Sequence, residues 1–74
     1  MKRMTKTEYR AIIDELGLTQ VAAGAFFDVD ARTSRRWALG GVIPGPVAIL
    51  LRYMAAKKLK PEDVRAMTEA KWEP

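Results

Sequence analysis

The chain contains neither cysteine nor histidine. Disulfides and thiolate metal sites are therefore closed to it, and the commonest metal ligand and general base is missing as well. A single domain of 74 residues has little interior to work with, because one this small buries only about 60% of the surface its unfolded chain exposes. Its stability must come from an efficient apolar core, which a composition 49% hydrophobic can supply. No apolar run approaches the roughly 20 residues that cross a bilayer. Lys2 and Arg3 are not followed by the long apolar segment of a secretory signal. The expectation is one soluble, cytoplasmic domain over residues 1–74, with no membrane contact.

Helix signals run through the whole chain. Thr5 followed by Glu8 forms a capping box, and Tyr9, Ile12, Ile13 and Leu16 follow at helical spacing. Gly17 supplies the left-handed residue that ends the helix. Thr19 caps a second helix from about Gln20 to Phe26, and Asp28 or Val29 occupies a turn. Asp30 caps a third helix that Gly40 and Gly41 stop. Pro44, Gly45 and Pro46 form a stiff link, with Pro46 suited to the first turn of a fourth helix. That helix repeats the pattern through Val47, Leu50, Leu51 and Met54, with Ile49 and Tyr53 widening the stripe. Pro61 opens a fifth, where Glu62 and Asp63 favour the positive end and Val64 and Met67 point inward. No segment alternates long enough to form a strand. The fold class is all-α, a compact domain of five short helices.

The third helix carries the most chemistry. At about 100° per residue, Arg32, Arg35 and Arg36 fall within roughly a 100° arc, and Trp37 and Ser34 face the other way. Arginine presents a rigid planar fork of donors that matches phosphate oxygens and the guanine edge in the major groove. A net charge of +4 and a pI near 9.8 favour an anionic partner. A solvated basic face would have the same composition. The charge is uneven: residues 1–45 carry +2, residues 46–60 carry +4 through Arg52, Lys57, Lys58 and Lys60, and residues 61–74 carry −2. The acidic tail is expected to lie away from any phosphate backbone.

The second and third helices are separated by too few residues for a long-armed hairpin, so they should cross steeply. Close crossing needs small residues, which Ala22, Ala23, Gly24 and Ala25 provide. Phe27, Val29 and Trp37 then fill the wedge beneath. Small residues, a short turn with Val29, then a tryptophan further along make a helix-turn-helix arrangement. Over residues 5–68 the chain resembles the phage-repressor, Cro-like (or XRE-like) helix-turn-helix regulators. The resemblance rests on Thr19-Gln20, Ala23 and Gly24, Phe27 in place of the usual Leu, Val29, Thr33, Arg36-Trp37, Gly40 and Pro44. It implies a lambda-repressor-like layout. The departures are Asp28 at the usual turn glycine, Ser34 at a usual buried aliphatic, and Gly24 where Ala is usual. Asp tolerates left-handed geometry better than most residues.

The resemblance also implies a mechanism. The third helix would enter the major groove of double-stranded DNA by its N-terminal end, as in sequence-specific transcriptional regulators, here a repressor. Arg32 and Arg36 match base-reading positions that fork onto guanine, and Ala31 one that touches a thymine methyl. Arg35 lies more laterally, toward phosphate. Gln20 would clamp a phosphate at the start of the second helix. The Gly40-Gly41-Val42-Ile43 loop and the region of Gly45 would meet further phosphates through backbone amides. Thr19 and Thr33 cap and pack. Family members usually pair on two-fold operators, so a homodimer is expected, with Ile49, Tyr53, Met54, Leu59, Met67 and Trp72 as candidates for its seam.

The alternative is a protein-interaction module on the same fold, such as an antitoxin or accessory subunit. No enzyme is expected. Asp14 with Glu15, and Glu62 with Asp63, are adjacent in sequence and do not converge on a helix, and no nucleophile–base pair or phosphate-cradling glycine loop is visible. No catalytic residue, metal, cofactor or small-molecule effector is therefore expected.

Overall fold

The structure, a computed structural model, describes residues 2–69. They form five helices: α1 (Lys6–Glu15), α2 (Gln20–Phe26), α3 (Ala31–Ala38), α4 (Gly45–Lys57) and α5 (Pro61–Thr68). No strand occurs among the described residues. The all-helical reading and the sequence-derived helix limits agree with this to within a residue or two. Among the described residues, no helix is long and apolar enough to cross a membrane.

Local chemistry starts the first three helices. The Thr5 hydroxyl accepts the Glu8 N–H at 3.1 Å, Thr19 accepts Ala22 N–H at 3.0 Å, and the Asp30 carboxylate accepts Thr33 N–H at 2.8 Å. Each satisfies a first-turn donor that the helix itself cannot. The expected capping box at Thr5 is only half of the arrangement. The Glu8 carboxylate is drawn chiefly to Arg52, through bonds of 2.8 and 2.9 Å, with Thr5 a lesser influence.

Four helices end the same way, in a left-handed residue followed by a doubled-back hydrogen bond. Gly17, Asp28, Gly40 and Lys58 have φ of 77°, 58°, 115° and 55°. The next amide in each case reaches back to the last full turn: Leu18 to Ile13 at 2.8 Å, Val29 to Gly24 at 2.8 Å, Gly41 to Arg36 at 2.8 Å and Leu59 to Met54 at 2.9 Å. This is the Schellman pattern, which uses carbonyls the helix would otherwise leave orphaned. Asp28 takes the left-handed turn as expected.

The compact interior draws on the first four helices. Tyr9, Ile12 and Ile13 of α1 meet Ala23 of α2, Trp37 and Ala38 of α3, and Ala48 and Leu51 of α4, with Met4 and Ile43 entering from the flanking loops. Phe27, Val29, Leu16, Leu18 and Val47 pack around this cluster. α2 packs on α3, and α1 on both α3 and α4. Two assignments change. Met54 is fully buried, so it belongs to the interior and offers nothing to a dimer seam. Met67, expected to point inward from α5, is 62% exposed, because on this last short helix only Val64 is buried.

Candidate nucleic-acid interface

The face of α3 is divided sharply. Ser34, Trp37 and Ala38 are buried, and Arg32, Arg35 and Arg36 are exposed. Trp37 anchors the helix through edge-on contacts with Tyr9 and Phe27, at ring-centroid distances of 5.9 and 6.2 Å. Such geometry suits aromatic quadrupoles. The wedge residues expected from the sequence therefore do meet beneath α3.

Ser34 stands where an aliphatic residue was expected, and its hydroxyl is satisfied by the Tyr9 hydroxyl at 2.7 Å. Burial pushes the Tyr9 phenol above its ordinary pKa, against the opposing pull of Ser34. The pair is therefore neutral at physiological pH and ties α1 directly to the inner side of α3.

Two glycines set how closely the backbone approaches this helix. At Gly24, a Cβ would meet the carbonyls of Asp30 and Val29 at 3.2 and 3.3 Å and the Ser34 Cβ at 3.3 Å. α2 thus rests on the start of α3 with little room for a side chain. At Gly41, a Cβ would come within 2.6 Å of Arg36 Cγ and 3.0 Å of the Arg36 carbonyl. The aliphatic stem of Arg36 lies over this glycine.

The exposed face of α3 is positively charged. Among the described residues, the salt bridges are Arg52–Glu8 and the loose Arg65–Glu69 pair at 3.9 Å. Arg32, Arg35 and Arg36 are in neither. The nearest acidic influence is Asp30, whose carboxyl is held below its usual range first by the Thr33 hydroxyl and amide, and then by Arg32 and Arg36. Asp30 is already committed to capping α3, so the three forks remain available to a ligand.

The other expected contact residues are more scattered. Ala31 is exposed at the first position of α3, and half-exposed Gln20 is at the first position of α2. Gly41 is half-buried against Arg36, whereas Gly45 is exposed in open space at the start of α4. α4 has no side-chain cap at Pro44. Of the seam candidates, Ile49, Tyr53 and Met67 are exposed and Leu59 is half-buried. Trp72 lies outside the described residues.

Sequence reasoning missed one structural clamp. Arg52, counted only as a positive charge, forks onto both Glu8 oxygens and donates to the Lys2 carbonyl at 2.8 Å. Nothing in the local pattern of α4 signals a partner 44 residues away.

Protein-family models, curated proteins and solved structures all returned no match to this chain.

Proposed function

We propose that α2 and α3 act as a helix-turn-helix and that the chain is a sequence-specific DNA-binding regulator, a repressor, with α3 in the major groove. The observation that carries this reading is the exposed face of α3, where Arg32, Arg35 and Arg36 stand without ion-pair partners among the described residues. Their helix is braced from behind by Trp37, Ser34 and the close approach at Gly24. A reader of base edges needs this combination, because forks on a loosely held helix would lose the geometry that distinguishes guanine. Arg32 and Arg36 read bases, Ala31 contacts a thymine methyl, and Arg35, Gln20 and the backbone near Gly41 and Gly45 hold phosphates.

The same reading makes the protein a homodimer. Ile49 and Tyr53 are 53% and 54% exposed and lie one helical turn apart on α4, so they share a face. With Leu59 and Met67 they form the seam; Met54 drops out.

Selection of bound fragments from random duplex DNA at near-physiological salt, followed by sequencing, tests the function. A recurrent motif whose affinity falls steeply with added salt supports it, since each phosphate contact releases counterions. The exposed apolar Val21, Leu39 and Val42 (61%, 62% and 69%) favour the second reading, a protein-interaction module. That reading gains if no duplex is retained at micromolar protein and low salt.

A further inference from the structure

The segment before α1 is extended, yet it is held in place at two points. Met4 is sunk into the core at 4% exposure, and the Lys2 carbonyl accepts the Arg52 bond. Arg52 is itself fixed by its fork onto Glu8. Lys2 and Arg3 of this anchored segment and Lys6, the first residue of α1, are all exposed and in no salt bridge among the described residues.

The arm lies alongside the loop that follows α3. Two shallow hollows separate them, of about 340 and 290 Å³. Arg3, Lys6, Gly40 and Gly41 line the first, and Lys2, Arg3, Pro44 and Gly45 border the second. A Cβ at Gly40 would stand 3.8 Å from the Lys6 side chain. Gly41, shared with the first hollow, carries the stem of Arg36 on its other side. The basic arm residues and Arg36 thus flank the same glycine loop. No acidic residue lines either hollow. Glu8, which also feels the charge of Lys2, is bonded chiefly to Arg52. The lysines at the other end of α4 are in a different setting, because the hollow beside Lys58 and Lys60 is shared with Glu15.

We propose that Lys2, Arg3 and Lys6 grip the DNA phosphate backbone beside the base-reading helix, with the Gly40–Gly45 loop as the floor of the contact. The proposal rests on the DNA-binding reading above and adds a contact which that reading does not contain. The side chains of Arg3 and Lys6 hold no hydrogen bond among the described residues, so replacing them leaves the packing intact. Their contacts are to phosphate, so they add affinity without adding selectivity.

The experiment compares the full chain with an Arg3→Gln/Lys6→Gln variant on the selected duplex and on an unrelated one, over a range of salt. A Lys57→Gln/Lys60→Gln variant removes the same charge from the far end of α4. Circular dichroism confirms that each variant is folded. The arm variant is expected to bind both duplexes on the order of tenfold more weakly, by the same factor, and its log-affinity against log-salt slope should fall by about 1.8, or about 0.9 per phosphate lost. The Lys57/Lys60 variant should keep the original slope. An unchanged slope in the arm variant, an equal loss in the two variants, or a changed preference between duplexes overturns the arm contact and leaves the function standing. Failure of the unaltered protein to bind any duplex overturns both.

Discussion

The Tyr9 hydroxyl lies 2.7 Å from the Ser34 hydroxyl, and both residues are wholly buried. This bond joins the middle of α1 to the inner face of the arginine-bearing helix. It explains how a serine occupies a position better suited to an aliphatic side chain: a buried hydroxyl is tolerated when it is paired. Removing either member leaves the other unsatisfied, so Tyr9→Phe and Ser34→Ala should each cost about 1–3 kcal/mol. The double variant should cost clearly less than the sum of the two. Urea unfolding of all four proteins measures this, and strict additivity would contradict the pairing.

Glycine substitutions should run against helix propensity. Gly24→Ala adds a better helix former, yet the new methyl meets two carbonyls and Ser34. It should therefore destabilise by about 1–3 kcal/mol, as overpacking does. Asp28→Gly should do the reverse and gain up to about 1 kcal/mol, because Asp28 holds a φ of 58° that suits glycine. Thermal unfolding of the two variants distinguishes these signs.

The Glu8–Arg52 pair makes stability depend on acid. The Arg52 hydrogen bond is the main reason the Glu8 carboxyl is held below its ordinary value. A carboxylate with a depressed folded pKa contributes stability above its unfolded pKa, about 4.3, and loses it as pH falls through the lower folded value. Unfolding free energy should therefore drop below about pH 4.3, and Glu8→Gln should flatten that drop while being less stable than the parent at pH 7. Both side chains are partly exposed, so salt should weaken the effect.

Local signals account for what was readable in advance. Thr5, Thr19 and Asp30 announce helix starts, and Gly17 and Gly40 announce ends, because capping acts over three or four residues. The division of α3 into an arginine face and a tryptophan face is likewise periodic. The long-range ties were not readable. Tyr9 and Ser34 are 25 residues apart, and Glu8 and Arg52 are 44 apart, so neither pair leaves a local pattern. α4 misled in another way: it is apolar around much of its circumference, so periodicity could not separate buried Met54 from exposed Ile49 and Tyr53. Spacing alone points Met67 inward, but α5, the last helix, buries only Val64.

Pairing through α4 should show in the DNA site. Two recognition helices related by a two-fold axis would lie about 34 Å apart, so the preferred site should be an inverted repeat with half-site centres about 10 base pairs apart or a multiple of that turn. Inserting about five base pairs, half a turn, should abolish tight binding. Ile49→Glu/Tyr53→Glu should give a folded monomer that protects one half-site, as sedimentation and footprinting would report. A parent protein that sediments as a monomer at every concentration would remove the dimer.

On the proposed reading, Arg32 and Arg36 read bases from a helix whose third arginine, Arg35, only holds the backbone. The most direct measurement is the binding of Arg32→Ala, Arg36→Ala and Gln20→Ala to a set of duplexes that carry every single-base change in the selected site. Each arginine variant should lose about 1–3 kcal/mol on the preferred site and relax selectivity at one position. Gln20→Ala should weaken every duplex by the same factor. If the arginine variants instead lose affinity uniformly and keep the full base preference, α3 is not the reader.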